Sequence, residues 1–185
     1  MKIVIVTFDE FTDLDVFFPW DILNRVKLVG GKTDLEVKLI GTKSSHVSMA
    51  GLEIPMSGTI KEANEADAVL FASGKGVQDL YQNEHYLAQF SLDPSRQLIG
   101  SMCSGALILA GLGLLKNKKA TTYPTVVHQL KELGVDVVKE SFVLQGNVAT
   151  AAGCLAAQEL SSWIISSLYN DDMVQLVFDS VQKVR

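Results

Sequence analysis

Short runs of β-forming residues, each followed by a longer stretch of helical period, fill the first hundred residues and leave few folds open. Lys2–Thr7 (KIVIVT), Ala68–Phe71 and Gln97–Met102 (QLIGSM) are apolar with little interruption, as strands buried on both faces are. Asp34–Ile40 (DLEVKLI) alternates polar and apolar residues and reads as a further strand. Between the first two strands, Leu14, Phe17, Phe18, Ile22, Val26 and Val29 recur at helical spacing, which predicts a helix over 14–29 with Pro19 tolerated only near its start. Residues 42–58 carry turn residues and weak alternation, and predict an irregular excursion or a hairpin.

The rest of the chain continues the pattern. One or two short helices are predicted within 75–90, and helices over Ser104–Leu115, Thr125–Leu133, Leu155–Leu168 and Met173–Val184. Short strands are predicted at Ala120–Tyr123, Val135–Val138 and Val148–Ala151. Strand–helix alternation is the signature of an α/β fold with a parallel sheet covered on both faces. Such sheets carry ligands at the carboxyl ends of their strands, so the residues just after each strand are the ones to inspect. The 185 residues fit one domain over 1–185.

Composition narrows the function. Asp plus Glu outnumber Lys plus Arg by 21 to 16, a net charge of -5, which argues against binding the phosphate backbone of a nucleic acid. Two cysteines are too few for a disulfide framework or an all-cysteine zinc site. The longest apolar run, Gly105 to Leu115, is far short of the roughly 20 residues of a membrane span. The N-terminus has one basic residue and no small-residue cleavage site, so no leader is read and a cytoplasmic location is expected.

Two post-strand segments stand out. Cys103 lies in Gly100-Ser101-Met102-Cys103-Ser104-Gly105, an apolar strand running into small residues and a helix. That is the context of a nucleophile elbow, where a helix N-terminus would favour a thiolate and lower its pKa, and where the same N–H groups could hold an oxyanion. The plainer reading is a buried structural cysteine. Asp15 lies in Thr12-Asp13-Leu14-Asp15. It is either an acid in the first turn of a helix capped by Thr12 or Asp13, or a carboxyl that reaches Cys103 across the strand tips and serves as acid or base.

Other positions are weaker. Gly74 and Gly76, in Ala72-Ser73-Gly74-Lys75-Gly76, allow close approach to a ligand or form an ordinary turn, and the segment is too short for a dinucleotide fingerprint. Cys154 is read first as a small core residue at a helix start, although it too follows a strand and could meet an oxidised Cys103. His46, His85 and His128 show no metal-binding spacing, and no metal or cofactor is expected. Phe18, Trp20 and Tyr123 are candidates for pocket lining or for core.

Taken with Leu14-Asp15-Val16-Phe17-Phe18-Pro19-Trp20-Asp21, Ser101-Met102-Cys103-Ser104-Gly105, Gly113-Leu114-Leu115 with Lys119-Ala120-Thr121-Thr122, and Gly146-Asn147-Val148-Ala149-Thr150-Ala151-Ala152-Gly153, the chain resembles the ThiJ/PfpI superfamily. That group is related to class I glutamine amidotransferases, and the likeness is nearest to its isonitrile (isocyanide) hydratase-like branch. The resemblance implies a flavodoxin-like three-layer sandwich with a mostly parallel central sheet. It implies Cys103 as nucleophile and Asp15 as the acid bonded to the sulfur. Gly74 would lend an N–H beside the sulfur, and Ser104 would keep the hydroxyl that the branch supplies from Thr. A homodimer acting on a small molecule is implied, with no nucleic acid, membrane or cofactor.

The chain departs from the pattern at three places. Ala72-Ser73-Gly74 replaces Pro-Gly-Gly, Phe18 stands where the hydratase branch has Gly and would reshape the pocket floor, and Ser104 replaces the histidine of the protease-like branch. No DNA-binding helical domain is expected. The activity expected from the resemblance is hydration of an isocyanide to an N-substituted formamide. The alternatives are an amidase, hydrolase or 2-oxoaldehyde-handling activity on the same cysteine, or a redox sensor without turnover.

Overall fold

The computed structural model describes residues 1–182. Its strands are β1 (Lys2–Val6), β2 (Glu36–Gly41), β3 (Ser45–Val47), β4 (Glu53–Pro55), β5 (Gly58–Thr59), β6 (Ala68–Phe71), β7 (Leu98–Met102), β8 (Lys119–Ala120), β9 (Asp136–Val137), β10 (Phe142–Gln145) and β11 (Val148–Ala151). The helices are α1 (Asp13–Leu28), α2 (Val77–Leu80), α3 (Glu84–Leu87), α4 (Ala106–Gly111), α5 (Val127–Glu132), α6 (Ala157–Leu168) and α7 (Asp171–Asp179). The predicted last helix ran to Val184; α7 ends at Asp179, and residues 183–184 lie outside the described residues.

Seven strands form one sheet in the order β10-β11-β7-β6-β1-β2-β5. Every pair in it is parallel except β10–β11. The chain winds outward from β1 to one side and then returns to build the other, so the strand order reverses between β1 and β6. Helices α1, α6 and α7 pack together as one layer, while α2 and α5 pack with α4 as the other. The expected α/β architecture, with its mostly parallel sheet and flanking helices, is therefore the observed one. The strands β1, β6 and β7 are buried along almost their whole length, which is why their sequences lack alternation.

The predicted hairpin at 42–58 is β3 paired antiparallel with β4. The pair β8–β9 stands apart as a small parallel sheet. Two strands were missed, the short parallel edge β5 and the antiparallel β10. The run Phe142–Gln145 turns through Gly146, at φ 64°, and Asn147 straight into β11. A Gly-X pair between two apolar runs is a hairpin signal, and it makes β10 the antiparallel edge beside β11.

Two helix predictions shift. The predicted face of α1 is offset by about one residue: Asp15, Val16, Pro19, Ile22, Leu23 and Val26 are buried, whereas Leu14 and Val29 are exposed. Pro19 lies beyond the first turn, so the carbonyl of Asp15, four residues earlier, has no helical N–H to receive. The helix after Cys103 stops at Gly111, short of the predicted Leu115. There Gly113 (φ 74°) bonds Ala110 O, and Leu114 bonds Leu109 O, the paired contacts of a Schellman stop.

Among the described residues, no helix is long and apolar enough to cross a membrane.

Candidate active site

The carboxyl ends of β1, β6, β7 and β11 lie side by side at the centre of the sheet, and each leads to one member of a cluster. Asp15 follows β1, Ser73 and Gly74 follow β6, Cys103 follows β7 and Cys154 follows β11. This is the end of a doubly wound sheet where ligands bind, beside the reversal of strand order.

Cys103 is the first residue past β7 and adopts φ 45°. A residue with a Cβ rarely occupies that region, and the conformation persists only where the surroundings enforce it. Here the enforcement is visible. A 3₁₀ turn over Cys103–Gly105 leads into α4. A side chain at Gly105 would run into the carbonyl of Ala72 at the end of β6. Thr122 Oγ1 donates to the Cys103 carbonyl at 2.8 Å and anchors the elbow from the other side. The strand-to-helix elbow expected from the sequence is present.

Asp15 is fully buried. Thr12 is the N-cap of α1, but its side chain makes no capping bond. Asp15 Oδ2 accepts a very short hydrogen bond from Ser73 Oγ, and Asp15 Oδ1 has no hydrogen-bond partner among the described residues. The carboxylate and the sulfurs of Cys103 and Cys154 all lie within 4.8 Å of one another. Asp15 is thus an acid in the first turn of α1, as one reading expected, and its carboxylate also lies close to the Cys103 sulfur. The helix end alone does not repay burying a carboxyl with one oxygen unpartnered.

Cys154 sits in a 3₁₀ turn over Cys154–Ala156, half-buried, with its sulfur 3.9 Å from that of Cys103. The reading of Cys154 as an ordinary core residue is corrected. Registers of Thr150 with Ser101 and Ala151 with Met102 across β11 and β7 bring the two cysteines together, and nothing in their sequence separation announces it.

The electrostatics overturn a second expectation. The sequence context predicted a lowered Cys103 pKa. Burial, and after it the negative charge of Asp15, instead push the Cys103 thiol well above its ordinary range. The helix that follows is short, so its dipole has little with which to oppose these effects. Burial and the same carboxylate push Cys154 up to about 11. At neutral pH the sulfur of Cys103 therefore keeps its proton beside a carboxylate.

A cavity of about 380 Å³ opens over the cluster. Its wall includes Thr12, Ser73, Gly74, Cys103, Ser104 and Cys154, with Met49 and Tyr123 at the sides and Lys75, Gln78, Thr125 and Val126 completing it. Cys103 is only 4% exposed, yet it forms part of this wall. Gly74 has φ 142°, and a Cβ there would overlap the carbonyl of Glu10, so only glycine fits. Its N–H donates to Ser104 Oγ at 3.4 Å, which places both expected residues at the cavity.

Other expectations fall away from the site. Phe18 lines a separate surface pocket with Ile22 and Phe178 and does not floor this cavity. Trp20 is partly exposed on α1 and does not line it, whereas Tyr123 does. His46 is buried against Asp9, with Nδ1 to Oδ1 at 3.0 Å, and His128 pairs with Glu132 on the surface. Sequence reasoning missed Ser73 as a partner of Asp15. The signal was a hydroxyl directly after the apolar run Ala68–Ala72 that holds β6. It also found no metal-ligating set, yet Asp15, Cys103 and Cys154 supply one carboxylate and two sulfurs close together.

Comparison with known proteins places the chain in a family. The profile of the DJ-1/PfpI family matches residues 1–167. The isonitrile hydratase of Pseudomonas putida is 28% identical over 179 residues, covering 96% of this chain and 76% of that protein. The glutathione-independent glyoxalase DJ-1 of Schizosaccharomyces pombe is 24% identical over 190 residues, covering 98% of each. The solved structure of Schizosaccharomyces pombe DJ-1 superposes with a TM-score of 0.82 at 21% identity, over the whole of both chains. The chain belongs to the DJ-1/PfpI family.

Proposed function

We propose that this chain is a cysteine-dependent small-molecule enzyme, and that its reaction is hydration of an isocyanide to an N-substituted formamide. The observation that carries the reading is the Cys103 sulfur held beside a buried Asp15 carboxylate at the wall of a small cavity. A cavity of about 380 Å³ suits a small ligand.

The chemistry follows from where the proton starts. As the Cys103 sulfur bonds to the terminal carbon of the isocyanide, its proton passes to Asp15 and from there to that carbon, giving a thioimidate, Cys–S–CH=N–R. Water then adds to the thioimidate carbon, with Asp15 taking a proton and returning it to nitrogen. The C–S bond breaks, the thiol is reprotonated and the formamide leaves. One water is consumed and nothing is oxidised or reduced. A thiol that stays protonated until substrate arrives fits this sequence, because the nucleophile and the proton are delivered together. The N–H of Gly74 and the hydroxyl of Ser104 are the donors available to the developing charge.

A second reading is supported by the glyoxalase named among the relatives over nearly the whole chain. There the same sulfur would add to the aldehyde carbon of a 2-oxoaldehyde. A homodimer belongs to both readings, and the exposed Leu14 and Trp20 of α1 offer apolar surface for it.

The test is a parallel assay of reduced protein on aliphatic and aromatic isocyanides, simple amides and methylglyoxal, with products followed by NMR. Formamide formation that disappears in Cys103→Ala supports the proposal. Loss of methylglyoxal with no formamide from any isocyanide would transfer the function to the second reading.

A further inference from the structure

We infer that Cys103 and Cys154 form a reversible disulfide when a hydroperoxide enters the cavity, so that Cys154 is the resolving thiol of Cys103. Both are free thiols, and their sulfurs stand 3.9 Å apart. A disulfide needs about 2.0 Å, so a gap of roughly 2 Å must close between the sulfurs.

The backbone permits that closure from one side only. Cys103 is fixed by its strained elbow and by the Thr122 bond to its carbonyl. Cys154 follows an extended Gly153, around which a Cβ would find no atom within 4 Å, and precedes Leu155, which is 77% exposed. The movable sulfur is thus Cys154. It also lines the same cavity as Cys103, so whatever reaches one sulfur passes the other.

The steps balance. The Cys103 sulfur attacks one peroxide oxygen and the O–O bond breaks. Cys103 becomes a sulfenic acid, and the thiol proton leaves with the other oxygen as an alcohol or water. The Cys154 sulfur then attacks the sulfenic sulfur, the S–O bond breaks, and the hydroxyl departs as water with the Cys154 proton. Two electrons pass from the two thiols to one hydroperoxide. A small external thiol reverses the bond by exchange. Without Cys154, a second peroxide would carry Cys103 on to the sulfinic acid, which such thiols do not reduce. Because burial and Asp15 hold both thiols protonated, the first step should accelerate as pH rises.

Formation of the bond does not depend on isocyanide chemistry, but its consequence does. With Cys103 tied up, the activity proposed above would stop and then return on reduction.

The experiment is intact-mass and peptide analysis after graded hydrogen peroxide, with denaturing alkylation of remaining thiols. Wild type is expected to lose two hydrogen atoms, to yield one linked peptide pair containing Cys103 and Cys154, and to recover fully in dithiothreitol. Cys154→Ser and Cys154→Ala are expected instead to gain first one and then two oxygens on Cys103. Wild type that accumulates dioxygenated Cys103 while Cys154 remains alkylatable overturns the inference, and that result is readable even if neither variant folds. The masses are independent of turnover, so a missing cross-link would leave the hydratase reading standing, and missing formamide would leave the disulfide standing.

Discussion

Ser73 Oγ donates to one oxygen of the Asp15 carboxylate, and the other oxygen, also buried, has no partner among the described residues. One hydroxyl therefore orients a charge that the fold otherwise leaves uncompensated. Both cysteine sulfurs lie close to that carboxylate.

Replacing Asp15 by Asn removes the charge while keeping the shape. Asp15 is a cause, after burial, of the raised Cys103 pKa, so its loss moves the titration of the sulfur toward lower pH. Iodoacetamide labelling of wild type should keep rising with pH beyond the ordinary thiol value of 9.0. The Asp15→Asn curve should lie to its left. Turnover should fall about 10²- to 10⁴-fold, the usual worth of a positioned acid–base group. Coincident labelling curves would show that Asp15 does not act on the thiol.

Ser73→Ala leaves the buried carboxylate with no donor. A hydrogen bond to a charged group is worth about 1.5–3 kcal/mol, and thermal unfolding should shift down by several degrees accordingly. The kcat should drop more than KM changes, because the hydroxyl orients the acid and does not hold substrate. A variant as stable and as active as wild type would remove Ser73 from the site.

Gly74→Ala forces a side chain into the carbonyl of Glu10 at a φ of 142°. Strain of that kind costs about 1–3 kcal/mol. It should also push apart the loop after β1 and the loop after β6, which meet at the bridge between Phe11 and Gly74. Calorimetry should find a lower Tm, and activity should fall with it. An unchanged Tm would mean that the close approach is not required.

Asp9 ties the loop after β1 to the β3–β4 hairpin through Lys43, His46 and the Val47 N–H. The Lys43 hydrogen bond, foremost among these contacts, lowers its pKa to about 2 from 3.8. The folded state thus holds the carboxylate charged where the unfolded chain would protonate it. That stabilisation is complete above pH 3.8 and is lost as pH falls toward about 2. The side chain is 43% exposed, so solvent screening keeps the contribution to about 1 kcal/mol or less. Asp9→Asn should narrow the gap in urea midpoint between pH 6 and pH 3, and an unaltered gap would contradict this account.

How far the sequence could be read depended on where the signal lay. Strands β1, β6 and β7 announce themselves because burial on both faces demands unbroken apolar runs. The elbow at Cys103 is legible because a sharp turn demands small residues. The missed strand β10 has only one internal buried residue, Val143, and its pattern is correspondingly faint. The stripe of α1 was misplaced because Asp15 occupies it, and a charged residue does not count toward an apolar face. The Ser73–Asp15 bond was invisible, and the Cys103–Cys154 approach was open only as the second reading of Cys154, for a different reason. Each joins loops brought together only by strand register, and register is a property of the folded sheet. The thiol pKa was misjudged because local context contains the helix but not the burial.

The placement of the two sulfurs on neighbouring connections has an evolutionary corollary. The bend at Cys103 owes nothing to the residue at 154, which sits on its own turn with open space before it. A single substitution there could add or remove a partner thiol without disturbing the scaffold. Relatives with one backbone could therefore differ in their tolerance of oxidants while sharing the same reactive bend.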